Sequence, residues 1–200
     1  MKRSLIATLC LIVLLGLGLS LTPDGRAASV SGVPQYTKDG NLIFPSDYRS
    51  WTFVTSGMGM SYSAAAQMSM DPAFDNVFVP TAAYQRFVET GHWPDKTMWV
   101  IEVRRSTGKG SINKAGRFQR EVLGYDVEVK DPGTSETWRY YGFGPQNGTP
   151  ENAKAFPQSA GCFECHSKNG AVEHTFVQFY PTLLDVAKQK GTINASYHEE

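Results

Sequence analysis

The chain has 200 residues, and its 19 Lys and Arg against 19 Asp and Glu give a formal net charge of zero with histidine neutral. This balance gives no support to nucleic acid or an anionic membrane surface as a partner, because both favour strongly basic patches. The length fits one domain with a hydrophobic core, and neither an internal repeat nor a low-complexity tract interrupts it.

Residues 1–27 have the three parts of a secretory signal peptide. Basic residues at positions 2 and 3 precede an uncharged apolar run over residues 5–21, and small residues precede a cleavage site after Ala27. We expect cleavage there and export to the periplasm. An uncleaved membrane anchor is the alternative, since the apolar run is long enough to span a bilayer. Removal of residues 1–27 leaves 16 basic and 18 acidic residues, a net charge of −2.

The remaining chain predicts a single domain over residues 42–200, after an extended, turn-rich lead-in over residues 28–41. Five apolar or alternating runs predict strands: residues 51–55, 76–79, 98–103, 123–129 and 137–144. Two helices are predicted, at residues 80–91 and 181–191, because each segment opens at a proline and ends at a glycine. The predicted fold class is α+β, a mainly antiparallel β sheet with a few short helices.

The predicted strands differ in their periods. Residues 98–103 are apolar at nearly every position and predict a central strand that is covered on both faces. In residues 123–129, apolar side chains alternate with glycine and carboxylates, which is the pattern of a half-exposed strand. This strand and the aromatic run 137–144 are joined by a turn, so we expect the two to form a hairpin.

The stretch GCFECHSKNG, residues 161–170, contains the spacing Cys-x-x-Cys-His. The thiols of Cys162 and Cys165 on one helical turn can add to the two vinyl groups of a haem, and the imidazole of His166 can then bind the iron. Two cysteines three residues apart would close too small a loop to link distant segments of an exported chain. The motif therefore predicts one covalently attached haem c with His166 as the proximal iron ligand.

Three other interpretations of the motif remain open. A zinc site would use Cys162, Cys165, His166 and His174, although a histidine next to a cysteine ligand fits a tetrahedron poorly. A redox dithiol normally follows the first strand of a βαβ unit, whereas this motif lies near the carboxyl terminus. Chance occurrence is the third. Export, together with only two cysteines in residues 28–200, favours haem c over these alternatives.

The sixth iron position decides between electron transfer and ligand chemistry. An electron carrier fills it with Met or His, whereas a gas-binding or catalytic haem leaves it open. The methionines and histidines that could fill it are Met58, Met60, Met68, Met70, Met98, His92, His174 and His198. No feature of the sequence forces six-coordination, so a six-coordinate electron-transfer cytochrome without ligand chemistry is the alternative function.

Three stretches together carry a family resemblance. YRSWTFVTSG, FVETGHWPDKTMWVIEVRR and GCFECHSKNGAVEHTFVQFYPTL are similar to the cytochrome P-460 family, and the resemblance extends over about residues 42–184. It implies an antiparallel β fold, commonly dimeric, that carries one five-coordinate haem c. The true cytochromes P-460 oxidise hydroxylamine with a lysine cross-linked to the porphyrin. Their relatives, the cytochromes c′-beta, lack that bond and bind nitric oxide and similar diatomics beneath an apolar cap.

The sequence departs from this family at one informative place. The cross-linking lysine of the family corresponds to the helix that precedes Gly91, where this chain has Val88 and Glu89. Neither side chain can form that bond. The departure favours the c′-beta kind of ligand binding and leaves open whether the protein is a hydroxylamine or nitric oxide oxidoreductase.

The same resemblance indicates that Arg49 points into the distal pocket, and Glu121 is a candidate acid across the sheet. An arginine there could hydrogen-bond a bound nitrogen oxide, and a carboxylate could accept protons from hydroxylamine. An ordinary surface ion pair is the other interpretation of Arg49. Four phenylalanines could form an apolar lid or belong to the core: Phe53, Phe78, Phe87 and Phe118.

We therefore expect a periplasmic monohaem c-type cytochrome whose open distal site binds or oxidises small nitrogen species such as nitric oxide and hydroxylamine. Its expected partners are that small ligand, a soluble c-type cytochrome as redox partner, and a second copy of the chain in a homodimer. Nucleic acid is not expected as a partner.

Overall fold

A computed structural model of the protein describes residues 31–61, 72–133, 137–144 and 151–198. The predicted signal peptide, the first residues of the lead-in, Met68 and Met70 lie outside these ranges. Within them, no helix is both long enough and apolar enough to cross a membrane.

The described ranges contain seven strands and three α-helices. The strands are β1 (Leu42–Ile43), β2 (Thr52–Met58), β3 (Phe74–Val79), β4 (Met98–Thr107), β5 (Phe118–Lys130), β6 (Trp138–Phe143) and β7 (Asn152–Ala153). The helices are α1 (Thr81–Thr90), α2 (Cys162–Asn169) and α3 (Pro181–Lys190). Strands β2 to β6 form one antiparallel sheet in the order of the chain, and β1 pairs with β7 in a second. The predicted α+β class and the β5–β6 hairpin are confirmed.

The larger sheet has two faces, because successive side chains of a strand point to opposite sides. Trp99 on β4 pairs with Glu128 on β5, and Glu102 on β4 pairs with Tyr125 on β5. Residues 99 and 102 are an odd number of positions apart, so the two pairs lie on opposite faces. We call the side of Trp99 and Glu128 the helix face, and the other side the Glu102 face.

Helices α1 and α3 pack on the helix face. Phe87 of α1 is fully buried and its ring stacks on Trp93 at a centroid distance of 4.0 Å, while Trp93 meets Trp99 edge-on at 4.7 Å. Both helices end at the predicted glycines, Gly91 and Gly191, which adopt the left-handed conformation with φ of 76° and 70°. The two predicted helices are confirmed.

A second cluster of buried side chains lies on the Glu102 face: Leu42, Tyr48, Trp51, Met98, Val100, Val127, Val129, Tyr141, Phe143 and Ala153. Strands β1 and β7 and a short 3-10 turn over Tyr48–Ser50 supply the covering residues. Met98, Trp99 and Val100 are at most 2% exposed, so β4 is covered on both faces, as its continuous apolar run predicts.

The polar side of β5 agrees with the prediction only in part, because Asp126 is exposed but Glu128 is not. Alternation in this strand predicts a side that faces solvent, yet the side chain of Glu128 is only 15% exposed. The reason is that α2 packs beside β6 on the helix face and brings His166 against Glu128. Glu128 therefore belongs to the surroundings of the Cys-x-x-Cys-His helix.

Candidate functional site

Helix α2 carries the whole Cys-x-x-Cys-His motif. Gly161, at φ 73°, reverses the chain immediately before Cys162, and Cys162 and Cys165 are then separated by about one helical turn. Both cysteines are free thiols. Burial raises the pKa of the Cys162 thiol, so this sulfur stays protonated at neutral pH. The helix thus presents two unlinked sulfur atoms next to one imidazole.

The hydrogen bonding of His166 assigns different roles to its two ring nitrogens. Nδ1 lies 2.9 Å from the backbone carbonyl oxygen of His174. Because a carbonyl oxygen only accepts, Nδ1 carries the proton and Nε2 keeps its lone pair. Nε2 points towards Glu128, 3.7 Å from a carboxyl oxygen. This is the tautomer that a metal-binding histidine adopts when a second group orients it.

The ring of His166 is packed between aromatic side chains. Its centroid lies 4.3 Å from that of Phe176 and 4.6 Å from that of Tyr140. Burial lowers the pKa of His166 to about 4, although the hydrogen bond to His174 acts in the opposite direction. The imidazole is therefore neutral at physiological pH, as a metal ligand must be.

The turn after α2 holds two residues in the left-handed region that glycine normally occupies. Glu173 has φ 44° and His174 has φ 65°. The Glu173 carboxylate accepts hydrogen bonds from His92 Nδ1 at 2.7 Å, from Lys130 Nζ at 2.9 Å and from the backbone N–H of Trp93 at 3.1 Å. Burial alone would raise the pKa of Glu173, but the bonds from Lys130 and His92 outweigh it and lower the pKa. These contacts hold the strained turn that aims the His174 carbonyl at His166.

Glycine is the only residue type that fits at position 170, between α2 and this turn. A Cβ atom at position 170 would lie 2.7 Å from the carbonyl oxygen of His166, 2.7 Å from the carbonyl carbon of His174 and 2.8 Å from the backbone nitrogen of Thr175. All three are backbone atoms, so they cannot turn away as a side chain could. The absence of a side chain at position 170 therefore sets the distance between the helix and the turn.

Three carboxyl groups share the helix face: Asp75, Asp126 and Glu128. Burial raises the pKa of each of them, and the charge of Asp126 adds to the effect on Glu128, whose pKa rises to about 8. Since His166 is neutral and Glu128 is mostly protonated at pH 7, their 3.7 Å contact is not an ion pair at that pH. The contact between Glu128 and Nε2 is thus one between two uncharged groups at neutral pH.

The structure does not bring Arg49 and Glu121 together with His166. Arg49 binds Glu102 on the Glu102 face, which is the opposite side of the sheet. Glu121 is an exposed side chain that pairs with Arg105, with Nε and Oε1 2.6 Å apart. Both side chains are in ion pairs at or near the surface, and their distal roles stay predictions.

The candidate lid and the candidate sixth ligands are also dispersed. Phe87 belongs to the core, Phe53 and Phe78 contact each other on the Glu102 face, and Phe118 is half-exposed at the start of β5. Met98 is buried on the Glu102 face, and Met58 and Met60 are about half-exposed. His174 contributes its backbone carbonyl to His166. The described side chains therefore offer Nε2 of His166 as the best-oriented iron ligand.

Sequence reasoning missed three residues of this site: Gly170, Glu173 and Glu128. The alternation along β5 places Glu128 on one side of a strand, but nothing in the sequence says that a distant helix covers that side. Glu173 interacts with residues 43 and 81 positions away. A glycine directly after the Cys-x-x-Cys-His helix was the one available signal for Gly170.

The donor set fits haem c better than zinc. Within the described ranges, no group of three or more His, Cys, Asp and Glu side chains is arranged to hold a metal ion. Two free thiols about one helical turn apart and a neutral imidazole whose Nε2 keeps its lone pair are the groups that haem c attachment and iron ligation require.

An antiparallel sheet with two free cysteines and His166 on one short helix beside it is the arrangement expected of a monohaem c-type cytochrome. The family model Cytochrome P460 matches residues 45–177. This match covers more than half of the chain, and the protein therefore belongs to the cytochrome P460 family, which confirms the resemblance seen in the sequence. Membership implies a haem c cofactor. No curated protein matches the chain.

Proposed function

We propose that the protein binds one haem c through thioether bonds from Cys162 and Cys165, with His166 as the proximal ligand. One observation carries this proposal: the Nδ1 atom of His166 is bonded to the His174 carbonyl, so that Nε2 is available beside two free thiols on the same helix. When bound, haem c supplies an iron centre that exchanges electrons and binds small ligands.

The residues around α2 have separate tasks in this proposal. The His174 carbonyl keeps His166 in one tautomer and one ring orientation. Glu173 holds the turn that carries this carbonyl, and Gly170 lets the turn lie against the helix. Phe176 and Tyr140 enclose the imidazole and limit its contact with water. Together these contacts support a proximal ligand that is already oriented before the cofactor is attached.

Small nitrogen species, nitric oxide above all, are the proposed ligands of an open distal site. The family assignment supports this choice, and the missing lysine favours binding over oxidation of hydroxylamine. Val88 is exposed on α1, and Glu89 pairs with Arg86 at 3.3 Å, so this helix position carries no amine. Burial of Met98 on the opposite face and the bond between His92 and Glu173 further support an open sixth position.

The proposal also includes the setting in which the protein works. We place it in the periplasm after removal of residues 1–27, as a homodimer that exchanges electrons with a soluble c-type cytochrome. Support for export comes from the charged, apolar and small-residue segments of the amino terminus.

The test is mass spectrometry and ferrous absorption spectroscopy of protein expressed with a working haem-attachment system. We expect covalent haem in the wild type and in the matched helix variant Glu164→Gln, and its loss in Cys162→Ser/Cys165→Ser. Colourless wild-type protein would overturn the proposal. A five-coordinate high-spin spectrum supports ligand binding, a strongly red-shifted ferrous Soret band would show a cross-link and an enzyme, and a low-spin spectrum would show an electron carrier.

A further inference from the structure

Strands β4 and β5 extend beyond the rest of the sheet. The last pair between β3 and β4 is Phe74 with Arg104, and β6 pairs with β5 only from Tyr125 onwards. In the described ranges, the strand residues between 105 and 120 pair in the sheet only with each other, and they form a two-stranded arm with a loop at its tip. We call this arm, together with Arg104 and Glu121 at its base, the basic arm (residues 104–121).

The basic arm concentrates positive charge in a protein that is otherwise acidic. It contains six basic residues and one acid: Arg104, Arg105, Lys109, Lys114, Arg117, Arg120 and Glu121. Its net charge is +5, and the other residues of 28–200, with 10 basic and 17 acidic side chains, have a net charge of −7. Arg105 pairs with Glu121 and Arg104 with Glu102. Lys109 and Lys114 have no carboxylate within 4 Å among the described residues, and both are exposed.

The tip of the basic arm presents one large apolar side chain to solvent. Ile112 is 88% exposed, more than any other large apolar side chain in the described ranges. The tip is braced, because the amide of Asn113 donates to the carbonyls of Gly108 at 2.7 Å and Gly116 at 3.4 Å. A second brace is the backbone bond from Asn113 to Gly110 at 2.8 Å. Exposure of Ile112 is therefore a property of an ordered loop.

An isoleucine flanked by two lysines suits a lipid surface better than a protein or a nucleic acid. The centres of protein interfaces are depleted of lysine and enriched in aromatic residues and arginine. A single-stranded nucleic acid needs several aromatic rings on which successive bases can stack, and the basic arm has one, Phe118. At a bilayer surface, by contrast, lysines can extend to the phosphates while an apolar side chain between them enters the headgroup region.

We propose that the basic arm docks on an anionic lipid surface, with Ile112 inserted among the headgroups and Lys109 and Lys114 on the lipid phosphates. This goes beyond the proposed function, since it does not depend on the haem. It also revises the expectation drawn from the overall charge. A net charge near zero hides an arm of +5 at one end of the sheet, and local charge is what an anionic surface attracts.

The experiment is co-sedimentation of the exported, haem-loaded protein with vesicles in about 0.1 M salt, where exposed charges act over roughly 10 Å. One set of vesicles contains phosphatidylglycerol and phosphatidylcholine in equal parts, and the other contains phosphatidylcholine alone. The variants are Lys109→Gln/Lys114→Gln and Ile112→Ser. Lys38→Gln/Lys154→Gln is the control, because it removes two exposed lysines from the region of β1 and β7.

We expect the wild type and the control to bind the anionic vesicles and not the neutral ones. Loss of Lys109 and Lys114 should weaken partitioning about 30-fold, because each basic residue near an anionic surface contributes roughly fivefold. Ile112→Ser should weaken it roughly tenfold through lost apolar burial. Equal partitioning of wild type and arm variants would overturn the proposal, as would an equal loss in the control.

Insertion of the tip is tested separately with a spin label on Ile112→Cys. On anionic vesicles we expect the label to become accessible to oxygen and protected from a water-soluble nickel chelate. A label that stays in water, or a wild type that binds a single-stranded oligonucleotide more tightly than the anionic vesicles, would assign the arm to a general polyanion partner and overturn the lipid assignment.

Discussion

Glu102 and Glu128 are carboxylates on opposite faces of one sheet, and their surroundings differ in charge. Glu102 is 1% exposed and accepts hydrogen bonds from Tyr48, Arg49 and Arg104, and from Asn76 at 3.1 Å. Burial alone would raise the pKa of Glu102, but the bonds from Tyr48, Arg104 and Asn76 outweigh it and lower the pKa. The Glu102 face thus holds an ionised carboxylate.

Glu128 is more exposed than Glu102 but still mostly buried, and it has no comparable set of donors. Its side chain is 15% exposed, burial raises its pKa to about 8, and the neighbouring Asp126 adds to that rise. Its contact at 3.7 Å is the neutral imidazole of His166. Burial is therefore common to both carboxylates. They differ because cations and hydrogen bonds offset the cost of burying the charge of Glu102, whereas Glu128, beside His166, lacks such partners.

The largest expected effect comes from replacing Glu102. Glu102→Gln keeps the shape of the side chain but leaves Arg49 and Arg104 without their carboxylate, so unfolding free energy should fall by about 3 kcal/mol. Glu128→Gln removes no such partner and should cost less than about 1 kcal/mol. Urea unfolding followed by circular dichroism measures both. A larger loss for Glu128→Gln than for Glu102→Gln would reverse the comparison.

A second prediction extends the comparison to the turn after α2, which orients His166 on the helix face. Gly170→Ala places a Cβ atom against three backbone atoms, and we expect a loss of roughly 2 kcal/mol from overpacking. Gly40→Ala is the matched control, because a Cβ at position 40 meets no atom within 4 Å, although its φ of 79° adds some strain. A smaller loss for Gly170→Ala than for Gly40→Ala would show that the turn does not need this close approach.

The period of apolar residues was sufficient to predict most of the sheet, and the proline and glycine at the ends of α1 and α3 were sufficient to predict both helices. It missed β1 and β7, whose two residues each are too few to show a period. It also placed the start of β5 at residue 123, whereas the strand begins at Phe118, because residues 118–122 do not alternate. These are the places where strand pairing, and not local pattern, decides the structure.

The candidate site likewise contains residues that local spacing predicts and residues that only packing brings together. Spacing alone predicts Cys162, Cys165 and His166 as the haem-attachment residues, since attachment chemistry acts within one helical turn. Two neighbours of His166, Tyr140 and Glu128, come from strands much earlier in the chain, and only packing brings them to it. Charge behaved likewise: the balance of the whole sequence concealed the basic arm, because an average does not record where the charges lie.

A third prediction concerns Glu173, the ionised carboxylate that holds the turn whose His174 carbonyl binds His166. Glu173→Gln weakens the bonds from Lys130 and His92, and we expect a loss of about 1.5 kcal/mol. In the haem-loaded protein the relaxed turn should also weaken the bond from His166 Nδ1 to His174. The reduction potential should then rise, because the imidazole becomes a poorer electron donor. Glu164→Gln, on the exposed side of α2, should change neither quantity.

Two outcomes for Glu173→Gln distinguish a role in the fold alone from an effect on the iron ligand. A loss of stability with an unchanged potential would show that Glu173 supports the fold alone. A covalent haem whose iron–histidine stretching frequency moves to lower values in resonance Raman spectra would confirm that Glu173 acts on the iron ligand through the turn. Rescue of both quantities by Glu173→Asp would show that the charge, and not the length of the side chain, is what the turn requires.

The smallest expected effect is the pH dependence that Glu102 contributes. Its pKa is lowered in the folded protein, so its contribution is fully present above the unfolded pKa of about 4.3 and is lost as the pH falls through the folded pKa. The difference in unfolding free energy between wild type and Glu102→Gln should be constant above about pH 5.5 and should narrow by up to about 1.4 kcal/mol per pH unit below the unfolded pKa. Urea titrations at a series of pH values measure it. A difference that instead widened on acidification would mean that Glu102 is protonated in the folded protein, and the contrast between the two faces would then not be one of charge.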